Sequence, residues 1–346
     1  MRSYEIELQR FTLNLIWNLF HHPMQEWFTL WVSKKSFKNS ANCSSSIFNF
    51  QFLTYNCRIQ DHTSAMNSDR KLLSQARLLV IKLGASVLSV QGGGLNSMRV
   101  GHITAQIAGL HRFGKRFVVV SSGAIAAGMA RLGLHRRPSH IADLQACAAI
   151  GQNLLMANYE RAFARRKLTV AQILLTHEDF RHEERRRNAR QTILNLLRRG
   201  VVPIINENDA VSFAEIKFGD NDQLAAMIHE LIHAHACILL SNIDGFMIRR
   251  SLSIDRLPRH GQAKAGGPWT VVSTISRITA NIERHAGDSD SHQSVGGMRS
   301  KLIAARCILA TRSPLVIANG HLPNILPRLL RGEVLGTIFL PVKIRV

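Results

Sequence analysis

V-V-P-I-I-N-E-N-D-A-V-S-F-A-E-I-K-F-G-D-N-D runs from Val201 to Asp222. Its first part, Val201 to Ile205, is a short β-branched apolar run with the composition of a buried parallel strand. The run stops at Asn206-Glu207-Asn208-Asp209, four polar side chains where a sheet strand would end. A second polar cluster, Gly219-Asp220-Asn221-Asp222, leads into a helical pattern at Leu224, Met227, Ile228, Leu231 and Ile232. In open α/β sheets, ligands sit outside the carboxyl ends of the strands. Two readings fit the Asn and Asp clusters: a ligand or metal site, or Asx turns and helix caps. Capping accounts for one such cluster more readily than for two.

Composition places this stretch in a plausible host. A chain of 346 residues, 46% apolar and only 6% aromatic, suits an Ala-, Val-, Ile- and Leu-rich α/β protein of one or two domains. The formal charge of +21 attracts nucleic acid, anionic membrane and phosphorylated small molecules alike, so it does not choose among them. Cys43, Cys57, Cys147, Cys237 and Cys307 show no C-x-x-C spacing. Free thiols in a reducing compartment are expected, rather than disulfides or a zinc site.

Residues 1 to 75 differ from the remainder. They hold Trp17, Trp27 and Trp31 and a Ser/Asn/Phe-rich tract from Ser36 to Phe52. Phe11 to Val32 is apolar in two pieces. His21-His22-Pro23 and Glu26 interrupt it short of the roughly 20 residues a membrane span needs. Glu5 and Glu7 spoil the basic start of a signal peptide, and no small-residue cleavage site follows. These residues read as an extension outside the functional part, with Met66 as the natural start.

From Leu78 the pattern alternates strands and helices, which predicts a doubly wound, largely parallel sheet. Leu78 to Ile81 is a buried-strand run ending in Lys82-Leu83-Gly84-Ala85-Ser86. A lysine there with a glycine turn suits a phosphate, although a solvated lysine ends many strands. Val100 to Phe113 reads as a helix and Phe117 to Val120 as a strand, ending in Ser121-Ser122-Gly123-Ala124-Ile125-Ala126-Ala127-Gly128. Small residues running into a helix expose its first N–H groups to an anion, and equally permit tight packing. Ile141 to Phe163 and Arg185 to Arg198 are helical, with a strand at Ala171 to Leu175 between them. The Arg181–Arg190 charge cluster reads as a solvated face. Further strands are expected at Cys237 to Leu240, Leu315 to Ala318 and Gly336 to Phe339, with a loop from Arg249 to Trp269. Ser294-Val295-Gly296-Gly297-Met298-Arg299-Ser300-Lys301 opens another helix with a Gly-Gly turn and a lysine, again a phosphate pattern.

Together, Ile81-Lys82-Leu83-Gly84, Ser122 to Gly128, Asn206 to Val211, Glu215 to Asp222 and Gly296-Gly297-Met298 with Lys301 resemble the glutamate 5-kinases of the amino acid kinase family, in that family's order and spacing. The resemblance covers Leu78 to about Leu340. It implies a three-layer α/β/α sandwich with a mostly parallel central sheet. An amino-acid-binding part spans about 76–235 and a nucleotide-binding part about 236–346. It also implies ATP-dependent phosphorylation of the γ-carboxylate of L-glutamate, with Mg2+ carried on the ATP phosphates.

By the same resemblance, Lys82, Asp222 and Lys301 are catalytic: two cations on the phosphates, oriented by one carboxylate. Asp209 with Asn206 meets the glutamate ammonium, while Ser122, Gly123, Ala124 and Asn221 take its carboxylates. Lys82, Gly84, Ser241, Asn242, Ser294, Val295, Gly296, Gly297, Met298, Arg299, Ser300 and Lys301 form the ATP side. There the chain departs from the family pattern: Ser241-Asn242 replaces Thr-Asp, Ser294-Val295 replaces Gly-Thr, and Ala85 replaces a hydroxyl residue.

A cytoplasmic homo-oligomer inhibited by proline is the further implication, with no membrane or nucleic-acid partner. The carboxy-terminal PUA domain of many relatives is not expected in a chain ending at Val346. The competing readings are a different amino acid kinase, or a kinase-fold regulatory or nucleic-acid-binding protein with weakened ATP binding.

Overall fold

A computed structural model describes residues 68–90, 94–211, 221–249, 269–287 and 297–341. The extension at 1–67, the segment Ser212–Asp220 with the Gly219-Asp220 half of the second polar cluster, and Ser294, Val295 and Gly296 lie outside them. Ten strands are described: β1 Leu78–Leu83, β2 Arg116–Ser121, β3 Val170–Leu175, β4 Val202–Glu207, β5 Ala236–Ser241, β6 Met247–Arg249, β7 Trp269–Val271, β8 Thr274–Ile275, β9 Leu315–Asn319 and β10 Thr337–Phe339. Eight of them form one sheet in the order β3-β4-β2-β1-β5-β9-β10-β8. All neighbours run parallel except β9 and β10, which are antiparallel. The order reverses around β1, which pairs with β2 on one side and β5 on the other. Such a reversal opens a crevice at the carboxyl edge.

The helices are α1 Lys71–Gln75, α2 Ala85–Leu88, α3 Ser97–Arg112, α4 Ala124–Arg131, α5 Ile141–Ala164, α6 His177–Arg181, α7 Glu183–Arg198, α8 Asn221–Ile232, α9 Ala280–Gly287, α10 Met298–Ala310 and α11 Ile325–Leu330. Parallel strands covered on both faces need apolar residues at every position, and the two-residue period sorts these into two cores. Leu79, Ile81 and Leu83 join Phe117, Val119, Ile204 and Ile238 under α3, α5 and α11. Val80 joins Val118, Val120, Ile205 and Leu239 under α7, α8 and α10. The result is the expected three-layer sandwich. Alternation also puts Lys82 on the face of Val80, toward α8 and α10.

Several boundaries differ from the sequence reading. Strand β4 continues through Asn206 and Glu207, both buried, and the Asn206 amide finds polar partners at the sheet's end. Strand β6 at Met247–Arg249, which the sequence reading did not mark, pairs antiparallel with β7, and the loop expected beyond Arg249 lies outside the described residues. The folded part also starts before residue 76. Leu73 and Arg70 are fully buried, and Arg70 donates to the carbonyls of Glu333, Leu335, Gly336 and Ser273 at 2.7–3.2 Å. Ser68–Gln75 therefore belongs to the domain and not to the extension.

The small residues after β2 serve packing as well as any anion. A methyl group on Gly128 would overlap the Cys147 carbonyl, and one on Gly151 would overlap that of Ala124. Close contact of α4 with α5 depends on both glycines.

Candidate active site

Lys82 sits near the carboxyl end of β1, opposite Val120 and Leu239 on the neighbouring strands. Asp222 is the second residue of α8, and Lys301 lies in the first turn of α10. Three remote stretches thus meet at one point. Lys82 Nζ is 2.7 Å from Asp222 Oδ1, and Lys301 Nζ is 2.9 Å from Oδ2. The Ser300 hydroxyl donates to the same Oδ2 at 3.1 Å. All three charged side chains are at least nine-tenths buried. Burial alone would raise the Asp222 carboxyl, but the two ammonium groups outweigh it and hold the group below the usual carboxylate range. The three side chains carry one net positive charge, which favours an anionic ligand.

Asn221 precedes Asp222 on the same helix start, and successive helical positions point about 100° apart. Its amide turns toward the ends of β2 and β4. Asn221 Nδ2 lies 3.0 Å from the Ser121 carbonyl, 2.9 Å from Ser122 Oγ and 3.0 Å from Asn206 Oδ1. A carbonyl can only accept, so the Ser121 contact fixes which end of the amide is nitrogen. Among the described residues the buried Oδ1 of Asn221 has no hydrogen-bond partner. That corrects one expectation: the NH2 of Asn221 is already engaged, and the atom it offers a ligand is an acceptor, unsuited to a carboxylate.

Gly123 begins α4 with φ of 110°, a left-handed conformation that glycine adopts without strain. Helix α4 thus starts directly after Ser122-Gly123. Asp209 follows β4 and is half-buried. Burial pushes its carboxyl up to about 6, partly offset by Arg137.

On the other side, Gly84 does not offer its own N–H to a phosphate, because that N–H donates to the Leu240 carbonyl at 3.0 Å. Its use is proximity: a side chain here would begin 3.9 Å from Lys82 Nζ. Ser241 Oγ donates to Asn242 Oδ1 at 3.2 Å, where β5 ends. Ser300 turns back to Asp222 and Gly297, and Arg299 is exposed. Met298, the first residue of α10, packs against the core.

The sequence reading missed the layer behind the amides. Gln152 on α5 accepts from Asn206 Nδ2 at 3.0 Å and donates to Gln172 Oε1 at 3.2 Å. Tyr159, one turn pair further along α5, lies 2.8 Å from Ser121 Oγ, and burial pushes its phenol up. Both occupy the buried stripe of α5 beside Leu155. A glutamine and a tyrosine inside an otherwise apolar helical stripe were the available signal.

Comparisons with known proteins bear on the family of the whole domain. The model of the amino acid kinase family matches residues 77–319. A glutamate 5-kinase of Bordetella pertussis is 45% identical over 274 residues, 79% of this chain and 69% of that one. One of Nitrosomonas eutropha is 42% identical over 278 residues, covering 80% and 71%. A UMP kinase structure from Bacillus anthracis superposes with a TM-score of 0.51 at 16% identity, over 78% of this chain and 97% of that one, and so shares the fold. Motifs, sheet order and relatives converge: the chain belongs to the amino acid kinase family, on its glutamate 5-kinase branch.

Proposed function

We propose that this protein transfers the γ-phosphoryl group of ATP to the γ-carboxylate of L-glutamate, giving L-glutamyl 5-phosphate, the first step of proline biosynthesis. One observation carries the reading: at the start of α8, Asn221 faces the Ser122–Asn206 cluster while Asp222 faces Lys82 and Lys301. Acceptor and donor of the phosphoryl group have to be adjacent and in line, and one helix start serves both.

A glutamate carboxylate, with an ordinary pKa near 4.3, is already ionised at neutral pH, so no strong general base is required. The protein's work is to bring two anions together and to neutralise charge on the transferring group. Lys82 and Lys301 supply that charge, and Asp222 sets their spacing. Asp209 and Asn206, now joined by the Asn221 Oδ1, balance the substrate ammonium. Ser122 and the N–H groups of Gly123 and Ala124 receive carboxylate oxygens. Gly84, Ser241, Asn242 and the segment from Ser294 to Ser300 flank the nucleotide.

Both oxygens of Asp222 face ammonium groups, so the triad suits a metal that arrives on the nucleotide's own phosphates. Magnesium is assigned there. The same proposal divides the domain into an amino-acid part, about 76–235, and a nucleotide part, about 236–346. It includes a cytoplasmic homo-oligomer open to inhibition by proline. No helix among the described residues is long and apolar enough to cross a membrane.

The test is glutamate-dependent release of ADP from ATP, with the acyl phosphate trapped by hydroxylamine as the hydroxamate. Hydroxamate formation that requires both substrates is expected. ATP turnover indifferent to glutamate would overturn the reading.

A further inference from the structure

The amides at the glutamate side form a chain of fixed polarity. It starts at the Ser121 carbonyl, which can only accept, and this orients the Asn221 amide. Asn221 Nδ2 then meets Asn206 Oδ1 at 3.0 Å, which turns Asn206 Nδ2 toward Gln152 Oε1, also at 3.0 Å. Gln152 Nε2 in turn meets Gln172 Oε1 at 3.2 Å. Asn206, Asn221 and Gln152 are 2%, 8% and 8% exposed, so water does not compete freely for these contacts. Only at Gln172 does the chain reach the surface.

Gln152 is the link on which the orientation of Asn206 depends from behind. Without an acceptor at that position, the Asn206 NH2 is buried and unsatisfied. Flipping the amide does not help, since it brings the NH2 of Asn206 against the NH2 of Asn221. Either outcome disturbs the surface that the Asn206–Asn221 pair presents. The lysine–aspartate triad is built from β1, α8 and α10, and those two helices pack on the opposite face of the sheet from α5.

We propose that Gln152 is a positioning residue for glutamate: by accepting from Asn206 it holds the acceptor and donor faces of the amino-acid subsite in register. The proposal rests on the glutamate kinase reading above.

Steady-state kinetics with each substrate varied in turn tests it on the full chain. Gln152→Met removes the acceptor, and Gln152→Asn keeps the chemistry but falls one methylene short. Both are expected to raise the KM for glutamate about tenfold, with the KM for ATP unchanged. Gln152→Glu keeps an acceptor for Asn206 and is expected to restore the glutamate KM. Melting temperatures identify a variant that fails to fold, and Gln152→Asn, the mildest change, then decides. A wild-type glutamate KM in Gln152→Asn overturns the proposal. So does an equal rise of both KM values, or a Gln152→Glu variant no better than Gln152→Met. Wild-type enzyme run alongside separates the two claims. If it shows no glutamate-dependent turnover, the reaction itself is wrong; if it turns over and the variants match it, only the role of Gln152 is.

Discussion

Lys301 reaches Asp222 from α10 alone, so its charge can be removed while Lys82 keeps the carboxylate paired. Lys301→Met is expected to lower kcat roughly 10²–10³-fold, the usual cost of losing one preorganised donor at a developing charge. The glutamate KM should change little; an equal effect on glutamate binding would contradict the assignment. Asp209 gives a pH test. Its carboxyl is raised to about 6 by burial, against Arg137, and only the ionised form balances an ammonium. As pH falls through 6 the glutamate KM should rise, approaching tenfold per pH unit. In Asp209→Asn that KM should be high and independent of pH over the same range. At this scale the charged residues were legible, because lysine, aspartate and asparagine stand out where apolar strands end. The direction of the Asn221 amide was not. It depends on the Ser121 carbonyl, a hundred residues away and silent in sequence.

Helices α4 and α5 touch through Gly128 and Gly151. Gly128→Ala is expected to destabilise the domain by about 1–3 kcal/mol, since backbone and not a flexible side chain must move. Urea unfolding measures this, and an unchanged midpoint would mean the helices can separate without loss. Among elements, the interior strands were readable because burial on both faces makes each a continuous apolar run, as in Val202–Ile205 and Ala236–Leu240. Strands β7 and β8 were not. At three and two residues they are too short to show a period, and β8 exists because it pairs with β10. The glutamine of α5 was hidden for the opposite reason: it is the one amide on the buried face of a strongly periodic helix that carries three others elsewhere.

For the molecule as a whole, acid is a predictable weakness. His229 is fully buried, with neither ring nitrogen bonded among the described residues. Burial, with His233 and His235 nearby, pushes it down to about 4. The unfolded chain takes up that proton near the ordinary value of 6.5, the folded one only near 4. Stability is therefore complete above pH 6.5 and lost as pH falls toward 4, by up to about 3 kcal/mol from this group. His229→Leu should flatten that part of the curve in urea unfolding at pH 7 and pH 5; parallel curves for the two proteins would refute the assignment.

The overall charge of +21 told little, since a basic surface has many uses. The role of Arg70 was invisible for another reason. Its acceptors at Glu333 and Leu335 lie 263 and 265 residues further along. That distance has a meaning during synthesis. The ribosome delivers this guanidinium first and three of its four carbonyl partners 263, 265 and 266 residues later, so it must stay hydrated while most of the catalytic unit emerges. A nascent chain can assemble the sheet's first strands, yet it cannot fasten the unit shut until translation has passed Gly336.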